Sequence, residues 1–391
     1  MDNVTHTLFG YALGRACAAR HQDEPLGRAL LASAVIGSNV PDFDFVLGFF
    51  GGDARLTYLL QHRGLSHTLI FALLLGALVG SCCSLLQLKT VRFDVLALGA
   101  GTGLLHIGCD ALNDYGVHPF YPFDNRWYYG DSVFIVEPLW LALLLPLPAL
   151  YAWTRTGQLL SRLLALGLLG LSAFVLPVGR AAAVTVIMLA TFAAQRKTGP
   201  RAEPALAGSV LLVAVFAIGS QLAEAQVRAA LQRDAAAERV LDIASSPAPG
   251  DPSCHRVLAV TLDQRDVYRV HLVSSQLLGP VRWCRLLPSD PTVPLTAAET
   301  GASERVRFEA TFAGPARELR ALQREHCDAE ALLRFARVPF WLQRDDGTVL
   351  GDIRYDRAPS LEFAERELND VCPSLSSLAP WVPPRSDVLQ P

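Results

Sequence analysis

Charge is scarce in this chain. Asp, Glu, Lys and Arg make up 18% of its 391 residues while 51% are hydrophobic, and the mean hydropathy is +0.29, whereas soluble globular chains carry about 25% charge. That scarcity excludes ordinary cytosolic composition and argues for a membrane protein. The 34 basic and 37 acidic side chains nearly cancel, so net charge points to no partner and gives no reason to expect nucleic acid. Internal repeats and low-complexity tracts are lacking, which excludes a solenoid. A cleavable signal peptide is lacking as well: the first apolar run is interrupted by His6 and Arg15, and no cleavage site follows.

What is present divides in two. Up to about residue 224, apolar runs approach the ~20 residues that span hydrocarbon. Eight can be counted, at 5–20, 26–40, 65–88, 93–113, 133–154, 158–178, 180–195 and 204–224. They predict an all-α polytopic membrane helical bundle over residues 1–224. Residues 225–253, ending in the Pro/Ser-rich "SSPAPGDPS", read as a connector. Residues 254–391 contain the alternating stretches "RVLAVTLD", "VYRVHLVS", "RVRFEATFA" and "TVLGDIRYD" with a helical "DAEALLRFAR", the pattern of a C-terminal soluble α+β domain. Its role is not legible from the sequence.

If all eight runs cross, Arg15, Arg20, Arg28, Lys89, Arg92, Arg155, Arg162, Arg196, Lys197 and Arg201 fall at or near one side. Only Arg55, Arg63, Arg126 and Arg180 fall at the other. Basic residues in short loops stay in the cytoplasm, which predicts a multi-pass protein with the C-terminal domain outside the inner membrane. Cys254, Cys284, Cys327 and Cys372 lie in that exported part and allow two disulfides in three connectivities. Cys17, Cys82, Cys83 and Cys109 sit in apolar runs and read as small packing residues.

Five of the nine histidines, His6, His62, His67, His106 and His118, crowd near the predicted outer ends of the first helices, level with Asp42, Asp44 and Asp110. Ionisable groups at membrane depth are expensive, which makes them functional candidates. His106 and Asp110 are four residues apart, about 40° in helical projection, and aim from one face. Pro41 ends a helix and leaves Asp42 and Asp44 on an irregular segment. His62 and His67 cannot share a face of an unbroken helix, so the "HRGLSH" stretch must break at Gly64, leaving His62 and Arg63 in a loop and His67 in the next helix's first turn. Imidazole and carboxylate together suit a divalent transition metal, zinc first, with manganese or iron as alternatives. Such an ion lowers the pKa of a bound water toward ~7. Asp44 and Arg63 are the catalytic candidates, with Arg63 or Arg126 placed to hold an anionic substrate oxygen. His118 reads as structural, Glu137 divides between ligand support and interfacial charge, and Asn39 and Asn113 read as turn or capping residues.

The motif order "MDNVTHTLFG", "SNVPDFD", "HRGLSHT", "LHIGCDALNDYG", "YPFDNRWYYGDSVFIVEPLW" resembles the YdjM-like family of bacterial inner-membrane, predicted metal-dependent hydrolases. The likeness spans roughly residues 1–145 and is weaker later, in "RFARVPFWLQ" and "GDIRYD". It implies metal binding by His6, Asp42, Asp44, His62, His67, His106 and Asp110. Glu137 stands where that family has an aspartate before Pro-Leu. More remotely, the chain is similar to the all-α zinc phospholipase C and nuclease superfamily. The later HxxxE helix of that superfamily has no counterpart, because no histidine occurs between His118 and His255.

The expectation is therefore a membrane-bound hydrolase using one or two transition-metal ions against an ester or phosphoester, with the lipid bilayer as surroundings and a lipid as one candidate substrate. The competing expectation is a non-enzymatic metal-binding membrane protein, a transporter or sensor. Oligomeric state is not readable.

Overall fold

The computed structural model describes residues 1–50, 53–234, 238–287, 290–293, 295–298, 303–345, 347–358, 360–369 and 379–390. Its N-terminal half is helical: α1 (Asn3–Ala18), α2 (Glu24–Gly37), α3 (Ala54–Gln61), α4 (Leu69–Leu88), α5 (Phe93–Asp110), α6 (Pro138–Leu144), α7 (Pro146–Tyr151), α8 (Arg155–Val175), α9 (Val178–Thr198) and α10 (Glu203–Asp234). Among the described residues, α4, α8, α9 and α10 are long and apolar enough to cross a membrane. A fifth candidate is α2 continued, through a 45° bend, into the 3-10 segment that begins at Val40. Eight crossings are therefore not all supported. The run at 133–154 divides into the short helices α6 and α7 because Pro146 has no N–H to carry the ladder through.

The helices that carry the site are brought together by glycines. Gly76 on α4 and Gly99 on α5 face each other so closely that a Cβ on either would lie 2.3 Å from the other's carbonyl oxygen. One turn away, Gly80 meets Leu96 and Gly103 meets the Ala72 carbonyl in the same way. Gly10 of α1 is pressed against Ser38 and Ala34 at the end of α2. Small residues spaced by four permit this backbone contact between membrane helices. It brings the C-terminal end of α5, with His106 and Asp110, beside the residues just ahead of α4 and just after α2.

The C-terminal part is an α+β unit. β1 (Glu238–Ala248), β2 (Asp251–Asp263), β3 (Val267–Gln276), β4 (Thr296–Ala297) and β5 (Val306–Pro315) form an antiparallel sheet of order β1-β2-β3-β5-β4. After α11 (Ala316–Glu325) and α12 (Cys327–Leu333), β6 (Pro339–Arg344), β7 (Gly347–Asp352) and β8 (Glu365–Glu367) form a second sheet, followed by α13 (Ser386–Leu389).

Within the connector expected at 225–253, the described residues 225–234 and 238–253 lie in helix, strand or hairpin turn. α10 continues to Asp234, and "SSPAPGDPS" closes a β1–β2 hairpin in which Ala248 pairs with Asp251 and Gly250 takes φ +74°. The prolines are accommodated because Pro247 sits at a register shift, where the ladder is already interrupted. Cys254 and Cys284 form a disulfide. Cys327 is also disulfide-bonded, Cys372 lies outside the described residues, and Cys17, Cys82, Cys83 and Cys109 are free thiols.

The two halves share one core. Leu56, Leu59 and Leu60 of α3, with Tyr115 and Trp127, pack into the cluster built by Phe335, Phe340 and Leu350. Arg337, buried, bridges Asp131 at 2.7 Å and Asp242 at 2.8 Å. Trp381 donates its indole N–H to the Leu60 carbonyl at 2.7 Å. The loops around residues 54–64 and 111–131 therefore lie on the same side as the C-terminal unit.

Candidate metal centre

α3 ends with His62 as its C-cap, and the chain turns through Arg63, whose φ is +61°. The left-handed residue is thus Arg63, not Gly64. Gly64 is required for another reason: a Cβ there would lie 2.7 Å from the Gln61 carbonyl and 3.1 Å from the Trp381 ring. His67 ends a short 3-10 turn, and Thr68 then caps α4 by accepting from the Phe71 N–H. Opposite lie Asp42 and Asp44, just past the bend after α2. His106 and Asp110 come from the last turn and a half of α5, and His6 from α1.

Four ligand atoms converge. His67 Nε2 lies 3.1 Å from His106 Nε2, 3.3 Å from Asp42 Oδ1 and 3.2 Å from Asp110 Oδ2. His106 Nε2 lies 3.4 Å from Asp42 Oδ1 and 3.5 Å from Asp110 Oδ2. Partners on the far side of each ring assign the tautomers. His106 Nδ1 faces the Ser38 carbonyl at 2.8 Å, so it carries the hydrogen. His67 Nδ1 faces the Ser66 hydroxyl oxygen at 3.0 Å and Asp44 Oδ2 at 3.1 Å, and because Ser66 gives its own hydrogen to Asp44, Nδ1 carries the hydrogen. Both Nε2 atoms then present lone pairs to each other and to two carboxylate oxygens. Asp110 Oδ2, fully buried, has no hydrogen-bond donor. With both rings neutral, four lone pairs meet here and repel unless a cation, a proton on one imidazole or a metal ion, lies between them. Two imidazoles and two carboxylates form a tetrahedral set suited to zinc and acceptable to manganese or iron. The residues present fit a divalent metal ion.

The carboxylates around this centre orient it. Asp44 takes four donors: the His62 Nδ1–H at 2.9 Å, the Arg63 backbone N–H at 2.9 Å, the Ser66 hydroxyl at 2.7 Å and the His67 Nδ1–H. Together with Asp42 and His62, Asp44 also forms a second, looser group of ligand atoms. Asp110 Oδ1 faces the Met1 amino group, His6 Nε2 at 3.2 Å and the Arg63 guanidinium at 3.1 Å. His6 therefore reaches Asp110 and stacks on His106, ring centres 3.8 Å apart, without joining the four converging atoms.

Arg63 is buried, pairs with Asp110 and with the Asn113 side chain at 2.8 Å, and lies over the face of Tyr115. It positions a ligand, and it also lines the cavity described below, with an Nε that has no hydrogen-bond partner among the described residues. Arg126 pairs with its neighbour Asp124 at the surface, away from the centre. His118 is structural: its Nδ1 faces the Arg63 carbonyl at 3.2 Å and its ring stacks on Trp381 at 3.6 Å. Glu137 caps α6 and accepts from the Gly250 N–H, so it ties the hairpin to the bundle and takes no part in the centre.

Asp42, with Tyr58, His62 and Arg63, lines a cavity of about 810 Å³ that has Tyr355 and Phe363 of the C-terminal unit on its wall, while His67, His106 and Asp110 are buried beyond that lining. His62 stacks on Tyr58 at 4.6 Å. With Nδ1 committed to Asp44, His62 presents Nε2 to the cavity. Burial first, and then the charges of Asp44 and Asp42, push the Tyr58 hydroxyl up to about 12, with Arg63 acting the other way.

Ser38, Ser66, Asn113 and Tyr58 belong to the site without standing out as site residues in the sequence. Ser66 and Asn113 stand one and three positions from His67 and Asp110, and that adjacency is the one signal available. Nothing local marks Tyr355 or Phe363.

No curated protein and no solved structure matches the chain. The family model described as YdjM inner membrane protein matches residues 1–179, the stretch that supplies every converging ligand. Over that stretch the chain is similar to the YdjM inner membrane protein family, and among the described residues four helices are long and apolar enough to cross a membrane.

Proposed function

We propose that the protein is a membrane-bound, metal-dependent hydrolase of esters or phosphoesters, with its site and C-terminal unit on the extracytoplasmic side of the inner membrane. The observation that carries the reading is the convergence of Asp42, His67, His106 and Asp110, with Asp42 reaching the lining of a cavity large enough for a substrate. Pockets of about 300–1,000 Å³ are the usual size for small-molecule sites. A divalent ion held there supplies Lewis-acid polarisation and acidifies water.

The chain's own residues do the rest. Asp42, His67, His106 and Asp110 hold the ion. Arg63, Asn113 and Ser38 fix the orientations of Asp110 and His106. His62, backed by Asp44, is placed to take or give a proton at Nε2, in the arrangement a general acid or base requires. Tyr58 and Tyr115 wall the floor from bulk water. The orientation is supported by basic groups at the opposite end of the bundle, where Arg15 and Arg28 line one recess with Trp153.

The test is elemental analysis of detergent-purified protein beside a His106→Ala, Asp110→Ala variant, followed by turnover assays on chromogenic carboxylic and phosphate esters with each ion. About one or two equivalents of metal, lost in the variant, together with metal-dependent turnover, is the expected result. Protein that stays metal-free after reconstitution with zinc, manganese and iron refutes the reading. A reporter fused after Pro391 that works only in the cytoplasm refutes the orientation.

A further inference from the structure

The mouth of the cavity is unlike its floor. On one side it is apolar and unusually exposed: Phe43 is 63% and Phe45 46% accessible, with Ile135 and Val136 beside them. Phe43 and Phe45 belong to the bent continuation of α2, a candidate membrane span, so this wall is the part of the cavity nearest hydrocarbon. Exposed aromatic and aliphatic groups gathered at one opening mark a contact surface for apolar material.

On the other side the mouth is basic. Arg357, in the turn between β7 and β8, lines the cavity half-buried. Its backbone N–H goes to Glu362 at 3.2 Å and its carbonyl accepts from Asp290. Its guanidinium has one ring neighbour among the described residues, Phe134 at 5.9 Å. By contrast, Arg337, Arg354, Arg366 and Arg385 of the C-terminal unit each pair with a carboxylate.

Behind Arg357, a recess of about 30 Å³ shares Phe134, Ser246 and Arg357 with the main cavity and is closed by Arg256 of β2. Burial first, and then the charge of Arg357, push the Arg256 guanidinium down to about 10, with Glu309 acting the other way. Arg256 has a contact of its own, so the guanidinium offered to the cavity is that of Arg357, whose complement is an anion and whose planar fork suits phosphate oxygens.

We infer that the C-terminal unit supplies the headgroup site of the cavity: Arg357, backed by Arg256, binds the phosphate of an amphipathic phosphoester whose apolar chain lies along Phe43, Phe45, Ile135 and Val136. This rests on the hydrolase reading for the fate of the ligand but not for its binding. It gives the soluble unit a function in substrate selection, since neither arginine belongs to the membrane half.

The test uses the full-length protein in detergent, with binding read by isothermal titration after chelator treatment and again after zinc loading. The probes are dioctanoyl phosphatidic acid, dioctanoylglycerol and inorganic phosphate. Expected are measurable binding of the phosphatidic acid, a loss of about tenfold or more in Arg357→Ala, and partial recovery in Arg357→Lys. The diacylglycerol and inorganic phosphate each bind more weakly than the phosphatidic acid, and Phe43→Ser with Phe45→Ser erases the advantage over inorganic phosphate. Unchanged thermal unfolding and metal content of Arg357→Ala establish that the fold is intact, and Arg357→Gln serves as the replacement if they are not. Equal affinity of wild type and the arginine variants for phosphatidic acid overturns the proposal. Equal affinity for inorganic phosphate and phosphatidic acid overturns its amphipathic half. Arginine-dependent binding without turnover of any ester would sink the hydrolase reading and leave the headgroup site standing.

Discussion

Replacing Asp44 with asparagine changes one atom, and the geometry dictates which partner loses. Asp44 Oδ2 accepts from the Arg63 backbone N–H, the Ser66 hydroxyl and His67. A backbone N–H cannot reverse its role, so the carbonyl of the introduced amide must remain there and its NH₂ must take the place of Oδ1, facing His62. His62 Nδ1 must then accept, which moves the ring hydrogen to Nε2 and removes the lone pair from the cavity. His67 keeps its bond, now to a neutral acceptor.

Partners behind a metal-binding histidine are worth about 10–100-fold in affinity. Because the bond is weakened rather than lost, Asp44→Asn should sit near the lower end, about tenfold, or about 1.4 kcal/mol. Turnover per bound ion should fall by about 10²–10⁴, the usual contribution of a positioned acid or base. The assay is a competition titration of zinc against a chromophoric chelator, paired with initial rates at saturating metal. A variant that loses most of its zinc affinity yet keeps its rate per bound ion would refute the reasoning, because Asp44 would then be a direct ligand and His62 a bystander.

Three further outcomes follow from the packing and the charges. Gly76→Ala places a Cβ 2.3 Å from the Gly99 carbonyl, so it should lower the thermal unfolding temperature by an overpacking cost of about 1–3 kcal/mol or more, whereas Gly101→Ala, with nothing within 4 Å, should leave that temperature unchanged or raise it. Trp381→Ala removes a buried ring, its stack on His118 and its bond to Leu60; a loss of about 3–5 kcal/mol is expected, read by denaturant unfolding, with faster proteolysis of the C-terminal segment. Burial, and then the charge of Asp356, raise Glu365 from its ordinary 4.5 to about 7. The folded state therefore holds this proton more tightly than the unfolded chain, its contribution is complete below about pH 4.5, and stability should fall as pH rises toward about 7. Glu365→Gln should flatten that slope in thermal scans at fixed ionic strength, and an unchanged slope would show that another group sets it.

The helical half was legible because its signals are local. The run ahead of Lys89 became α4, and the four-residue spacing of His106 and Asp110 put both at one centre. The break in "HRGLSH" follows from two histidines that cannot share a helix face, although the strained residue proved to be Arg63. Other features depend on partners distant in sequence. Phe363, Tyr355 and Trp381 reach the centre from the far end of the chain, and no periodicity announces that. Pro146 looked tolerable inside an apolar run and instead divided it. The connector failed as a reading because Pro and Ser composition signals a break in the ladder, and a hairpin turn with one register shift satisfies that signal as well as a flexible linker does. Arg126 looked suited to an anion until Asp124, two residues away, proved to hold it.

The stacking of Trp381 on His118 has a consequence for the order of biosynthesis. The helices bearing the ligands leave the ribosome well before Tyr355, Phe363 and Trp381 are made, and domains generally begin to organise as they emerge. During that interval the Arg63 turn lacks its cover and the ligands stand open on one side. Closing the cavity is thus among the last events in the maturation of the chain. An ion arriving earlier need not pass the mouth, whereas one arriving later must. If the C-terminal unit crosses the membrane before it docks, closure takes place in the outer compartment, and under the proposed function the metal supply there, not that of the cytoplasm, would decide which ion is bound.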